Sequence, residues 1–261
     1  MLILHWGEIM PKLFCVSDIH SFYDPLITAL NEAGFDKNNP DHYLVVCGDC
    51  FDRGDQSAEV LRFLRSIERK FLIKGNHESL LLECCDRGYP QSYDFSNGTY
   101  KTICDLGRAG EGLSFDECCI RTAARVGTFI DSMVNYLETE NFIFVHGWLP
   151  VNREDGLPSY YRRNRHFSAM KDFRTATQKQ WDDATWLCGP DMALDGYNNT
   201  GKTVVFGHWH TSYLWSIRDG RSEFGDDAKF DIFCGDGFVA LDSCVVHSGK
   251  LNCLVIEDNF I

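Results

Sequence analysis

The chain has 261 residues, 44% of them hydrophobic, which is enough to bury a large core, and its 38 acidic against 25 basic residues give a formal net charge of -13. A surface this acidic repels nucleic-acid backbones and anionic membrane, so neither is an expected partner. No apolar run approaches the roughly 20 residues that span a bilayer, and many of the twelve cysteines (Cys15, Cys84, Cys85, Cys118, Cys119 and Cys253) fall in strand or helix patterns without a secretory leader, so a cytoplasmic protein with reduced thiols is expected.

Residues 1–9 precede Met10-Pro11-Lys12 and read as an N-terminal extension or a start set too early. The first apolar run, 12–16, leads into Asp18-x-His20. Asp24 and Pro25 then offer an N-cap and a first-turn proline to a helix with Leu26, Ile27 and Leu30 on one face and Gly34 as its stop. A second run, 43–47, leads into Gly48-Asp49-Cys50-Phe51-Asp52-Arg53-Gly54. Residues 57–70 carry Val60, Leu61, Phe63, Leu64 and Ile67 at helical spacing, and the run 71–73 ends in Gly75-Asn76-His77-Glu78. This alternation is that of βαβ units. A helical insertion, 86–140, interrupts it and is expected to cover one edge of the site. Within it Ser114 and Glu117 form a capping-box pattern, and Ile120, Ala123, Ala124, Gly127, Ile130, Met133, Val134 and Leu137 make a core-facing stripe.

The run 142–145 leads into His146-Gly147. Residues 152–200 are polar, with a basic cluster of Arg162, Arg163, Arg165, His166, Lys171 and Arg174 that either is solvated or borders the site and handles an anionic substrate. Residues 203–206 end in Gly207-His208-Trp209-His210, and the runs 238–246 and 251–256 flank Ser248-Gly249-Lys250 as a β-hairpin. No repeat, low-complexity tract or linker divides the chain, so 1–261 reads as one domain.

Five short apolar segments thus deliver Asp, Asn or His just past their C-terminal ends, the place where open α/β sheets gather ligands. Asp18, His20, Asp49, Asn76, His146, His208 and His210 form an oxygen and nitrogen donor set that suits Mn, Fe, Zn or Co rather than a closed structural zinc site. Seven donors exceed one metal's needs; two metals about 3.5–4 Å apart with a bridging carboxylate is the natural arrangement. His5, His42, His166 and His247 lack such a context, and Cys47-x-x-Cys50 has no second pair at zinc-finger spacing.

These five ordered motifs resemble the calcineurin-like metallophosphoesterase superfamily, and Asp52-Arg53-Gly54 with Asn76-His77-Glu78 resembles its phosphoprotein phosphatase branch. Residues 241–251 resemble the closing segment of the bacterial and phage serine/threonine phosphatases in that branch. The resemblance runs from about 12 to 256, with 86–140 and 152–200 poorly matched. It implies an α/β fold of two facing mixed β-sheets flanked by helices, a four-layer sandwich. It implies two divalent metals, manganese foremost with Fe, Zn or Ni as alternatives. Asp18 and His20 would hold the first, Asp49 would bridge, and Asn76, His146 and His208 would hold the second. The implied reaction is direct hydrolysis by in-line attack of a metal-bridging hydroxide.

In that frame Arg53 offers its planar fork to a phosphate, with Asn76 beside it as a second substrate contact. His77 is placed to protonate the leaving oxygen, Asp52 to orient and charge His77, and Glu78 to support the ligands. Two departures stand out. His210 is a second histidine after Gly207-His208, a first-metal ligand in the wider superfamily. Where bacterial members carry Trp-x-Arg this chain has Trp186-Leu187-Cys188, so either Arg162, Arg163 or Arg174 substitutes or phosphate is held by Arg53 and metal alone. Hydrolysis of phosphomonoesters on serine/threonine phosphoproteins is the first expectation. The alternatives are symmetrical dinucleoside tetraphosphate hydrolysis, whose enzymes usually lack the Asp52 equivalent, a phosphodiesterase or nuclease, and a scaffold without catalysis.

Overall fold

The computed structural model describes residues 10–153 and 167–261. The expected extension 1–9 and the basic residues Arg162, Arg163, Arg165 and His166 lie outside the described residues.

Strands β1 (Lys12–Val16), β2 (His42–Cys47) and β3 (Lys70–Ile73) run parallel, joined by helices α1 (Tyr23–Ala33) and α2 (Ser57–Ser66). The insertion follows as α3 (Asn76–Arg87), α4 (Ser92–Asn97), α5 (Thr99–Gly107) and α6 (Phe115–Asp131). A second sheet opens with β4 (Leu137–Glu138) and β5 (Phe142–Phe144), and β6 (Val151–Arg153) with β7 (Phe167–Ala169) makes a separate ribbon. Helices α7 (Gln178–Ala184) and α8 (Gly189–Leu194) lead to β8 (Thr203–Phe206) and α9 (Thr211–Asp219). The chain ends with β9 (Phe233–Gly235), β10 (Phe238–Ala240), α10 (Val245–Ser248) and β11 (Leu254–Glu257).

The sheet orders are β11-β1-β2-β3 and β4-β5-β8-β10-β9, and both are mixed: β11 runs antiparallel at one edge of the first, and β4 and β9 run antiparallel at the two edges of the second. Strand side chains alternate between faces, and here both faces are apolar. Leu13, Cys15, Val45 and Cys47 of the first sheet meet Phe144, Val205 and Val239 of the second in one core. Phe14, Val16, Leu44 and Val46 point the other way, against the helices of the insertion and crossovers. Val204 and Phe206 likewise face away from the sheet interface, toward a cluster holding Trp181 of α7 and Trp215 of α9. Helix, sheet, sheet, helix is the expected four-layer sandwich.

Several local expectations need correction. The predicted closing hairpin does not form: β10 pairs parallel with β8, the chain makes the turn of α10, and β11 crosses to the other sheet to pair with β1. Helix α2 stops at Ser66 because Ile67 is already extended, yet Ile67 stays in the core, so its apolar spacing reflects burial rather than helix. Helix α1 takes its cap from outside: the Gln56 side-chain oxygen accepts from the backbone N–H groups of Tyr23 and Asp24 at 3.0 and 3.2 Å. Gly34 ends that helix in the left-handed conformation, as expected. The Ser114–Glu117 capping box forms, but the buried face of α6 is Cys118, Cys119, Thr122, Val126, Phe129 and Ile130, while Ile120 is 63% exposed.

Candidate active site

The loops after β1, β2, β3, β5 and β8 meet at one edge of the sandwich, where the two sheets' parallel strands end. Asp18 N–H donates to the Gly48 carbonyl at 3.2 Å and His20 N–H to the Asp49 carbonyl at 2.9 Å, lacing the first two loops together. Asp18, His20, Asp49, Asp52, Arg53 and His208 all hold positive φ, between 48° and 74°. That conformation costs a non-glycine residue about 1–2 kcal/mol, and its concentration here marks a site at which geometry outweighs local stability. At Gly48, φ is +85° and a Cβ would fall on the His146 ring, so only glycine fits.

Asp49 is the centre. Its carboxylate lies 3.7 Å from His20 Nε2, 4.0 Å from His77 Nε2 and 3.3 Å from His146 Nε2. Two groups of donors therefore share it: His20, Asp49 and His77, and Asp49, His146 and His208, each with ligand atoms within 4.8 Å of one another. Asn76 Oδ1 is 2.9 Å from His146 Nε2, and Asp18 Oδ1 is 3.9 Å from His20 Nε2. Asp18, His20, Asp49, Asn76, His77 and His146 are all buried. Backbone carbonyls orient two rings, with His20 Nδ1 3.0 Å from the Phe51 carbonyl and His146 Nδ1 2.7 Å from that of Cys47, which leaves Nε2 of each turned inward. Glu78, buried at the start of α3, accepts from the N–H groups of Asp49, Cys50 and Gly75 at 3.0, 2.8 and 2.9 Å and pins the second and third loops together.

The donor set fits divalent metals. Burial, then the neighbouring Asp242, push Asp18 well above the usual carboxylate range, and burial lifts Asp242 to about 6. The positive charge near Asp18 and Asp242 does not offset their burial, and cations would supply the remainder. Burial raises Asp49 too, but His146 and His77 outweigh it and hold Asp49 well below the usual value. His208 is depressed to about 3, by burial and then by His146, so it presents a neutral ring suited to ligation.

His77 stands in a different relation. Its Nδ1 is 2.8 Å from Asp52 Oδ2, an oxygen that also accepts from the Thr99 hydroxyl at 2.7 Å. Burial alone would depress the imidazolium; Asp49 and Asp52 overcome it and leave the pKa above the ordinary histidine value. Thr102 Oγ1 accepts from Asp52 N–H at 3.0 Å, and the Asn97 carbonyl accepts from Arg53 N–H at 3.2 Å. The insertion thus braces Asp52 and Arg53 instead of serving only as a cover. Arg53 is exposed and lines a cleft of about 170 Å³ with Asn76, His77, Asn97, Trp186 and His208.

The structure does not bring His210 to either donor group. Its Nδ1 lies 2.8 Å from Ser212 Oγ and its Nε2 3.1 Å from Glu223 Oε1. Arg174 is also committed elsewhere, held by both oxygens of Glu138 and by Asp172 at 3.0 Å, and Cys188 has a thiol pushed up to about 12 by burial. Arg53 is the one described arginine lining the cleft. Three contributors were missed in the sequence. Thr99 and Thr102 gave no local signal. Asp242 did, because it follows the apolar β10 as the other acids follow their strands, but reading 238–246 as one strand hid it.

Known proteins resemble this chain in sequence and fold. The model of the family described as calcineurin-like phosphoesterase matches residues 11–235. A symmetrical bis(5'-nucleosyl)-tetraphosphatase of Klebsiella pneumoniae (strain 342) is 37% identical over 285 residues, covering 94% of this chain and 91% of the relative. One from Proteus mirabilis (strain HI4320) is 39% identical over 70 residues, a match spanning about a quarter of that relative's length (25%). Among solved structures, a cold-active protein-tyrosine phosphatase of a Shewanella species shares the fold at TM-score 0.55 and 17% identity, covering 95% of this chain and 76% of that one. A putative diadenosine tetraphosphatase does so at 0.51 and 16%, covering 97% and 96%. With the family match over most of its length and a near full-length relative, the chain belongs to the calcineurin-like phosphoesterases and is a metal-dependent phosphoesterase hydrolase.

Proposed function

We propose that this chain, as one cytoplasmic catalytic domain, hydrolyses dinucleoside tetraphosphates symmetrically, cleaving the central anhydride to give two nucleoside diphosphates. The observation that carries this reading is the near full-length likeness to the Klebsiella tetraphosphatase. It outweighs the Asp52-Arg53-Gly54 form, which on sequence alone favoured a serine/threonine phosphoprotein substrate.

Two divalent ions would be held by Asp18, His20 and Asp49 and by Asp49, Asn76, His146 and His208, a donor set of oxygen and imidazole without thiolate that suits manganese, iron or zinc. When bound, such a pair lowers the pKa of a shared water and neutralises phosphate oxygens. Arg53 makes no side-chain hydrogen bond or ion pair among the described residues, so its fork is free for a neighbouring phosphate. His77 gives Nδ1 to Asp52 and keeps Nε2 toward Asp49, where its proton can pass to the departing phosphate oxygen.

A second reading, phosphomonoester hydrolysis, is favoured by the Asp52–His77 pair, which would assist a poorer leaving group. The diesterase reading loses its main support because His210 faces Glu223. The manganese-loaded protein is tested on diadenosine tetraphosphate, a phosphopeptide and an aryl phosphate. ADP as the sole nucleotide product, with kcat/KM at least tenfold above the other two, is expected. AMP with ATP as products, or a preference for the phosphopeptide, contradicts the reading.

A further inference from the structure

The active-site cleft has a lining of two kinds. Arg53, Asn76, His77 and Asn97 are polar, whereas Leu80, Trp186 and Trp209 are not. Both indoles flank the ring of His208, with centroids 6.2 Å away for Trp186 and 6.5 Å for Trp209. An indole neither ligates a metal nor carries a proton for hydrolysis, so phosphoryl chemistry gives no reason for two of them beside a ligand. The Trp209 Nε1–H is buried without a hydrogen-bond partner among the described residues. A ring nitrogen or carbonyl oxygen on a bound molecule would supply the missing acceptor.

Trp186 also lines an adjoining groove of about 340 Å³ with Lys74 and the acids Glu83, Asp86, Asp182 and Asp183, the last ion-paired to Lys179 at 3.4 Å. The excess of carboxylates on this wall disfavours a phosphate chain continuing past Trp186. The part of the substrate that meets the indoles is therefore better without negative charge. Flat aromatic walls favour a flat aromatic ring, and base–indole stacking is worth a substantial fraction of a nucleotide's affinity while tolerating any base.

We propose that Trp186 and Trp209 form a nucleobase subsite, which selects phosphorylated ligands ending in a purine or pyrimidine ring over bare polyphosphates. This rests on the dinucleotide reading above and adds the element that recognises its ends. Because the subsite binds the base, and not only the transition state, its loss falls on KM more than on kcat.

Two measurements test it on the full-length, manganese-loaded protein. ADP is expected to quench tryptophan emission where the same concentration of pyrophosphate does not, and Trp186→Leu is expected to abolish most of that quench. Trp186→Leu and Trp209→Leu should each raise KM for diadenosine tetraphosphate about tenfold and lower kcat/KM on it at least tenfold more than on tripolyphosphate. Trp186→Phe, which keeps an aromatic face, should retain KM within threefold and so separates stacking from misfolding. Equal quenching by ADP and pyrophosphate, or equal losses on both substrates, overturns the subsite. Quenching by ADP without cleavage of diadenosine tetraphosphate would instead overturn the proposed function and leave the subsite standing.

Discussion

Asp52 Oδ2 serves two partners at once, His77 Nδ1 at 2.8 Å and the Thr99 hydroxyl at 2.7 Å, and all three residues are buried. The hydroxyl fixes the carboxylate, the carboxylate fixes the imidazole, and Nε2 is left aimed at the site. Thr99→Val removes the first link while keeping the volume, and losing a hydrogen bond to a charged group is worth about 1.5–3 kcal/mol. Turnover is expected to fall about tenfold, with metal content measured by elemental analysis unchanged. His77→Asn should reduce turnover roughly 10²–10⁴-fold and also leave the metal in place; loss of metal would make His77 a ligand instead. The sequence showed His77 and Asp52 because both sit in motifs at strand ends. Thr99 reaches Asp52 across 47 positions of chain, a contact no local spacing encodes.

At the scale of elements, strand ends were legible and destinations were not. An apolar run closed by Asp or His identifies a strand and its ligand, and β1 and β8 fall where that pattern places them. Alternation cannot say which sheet a strand joins, so the last two runs read as a hairpin while β10 and β11 lie in different sheets. The face of α6 was misread for a related reason: two cysteines and a threonine fill the core side, and side-chain volume rather than hydrophobic rank decides there. The junction of α4 and α5 is the insertion's contact with the site. Gly98 holds φ +88° there, and a Cβ would collide with the Arg53 backbone N. Gly98→Ala should cost at least about 1–2 kcal/mol from the left-handed backbone alone. Its melting temperature should fall, and KM for the phosphorylated substrate should rise as Arg53 shifts.

For the whole molecule, the ends of the two sheets are tied by Asp258, just after β11. It accepts from the Thr139 hydroxyl at 2.6 Å and from Asn141 N–H and Nδ2 at 2.9 and 2.6 Å, in the turn between β4 and β5. Burial raises this carboxyl, but those donors outweigh it and hold the pKa below the ordinary value. A depressed carboxylate stabilises the fold fully above its unfolded pKa of about 3.9 and loses that contribution as pH falls through the folded value. Asp258→Asn should therefore lower the urea midpoint at pH 7, by about 1–3 kcal/mol of stability, and differ less from the parent near pH 3. The sandwich exists in this form to bring five strand ends together, and Asp49 is the residue on which both donor groups close. Electron paramagnetic resonance of the manganese-loaded protein, with elemental analysis, tests that directly. Two ions per chain with an exchange-coupled signal, reduced to an uncoupled signal in Asp49→Asn, is the expected result; a single ion, or coupling that survives in Asp49→Asn, would contradict it.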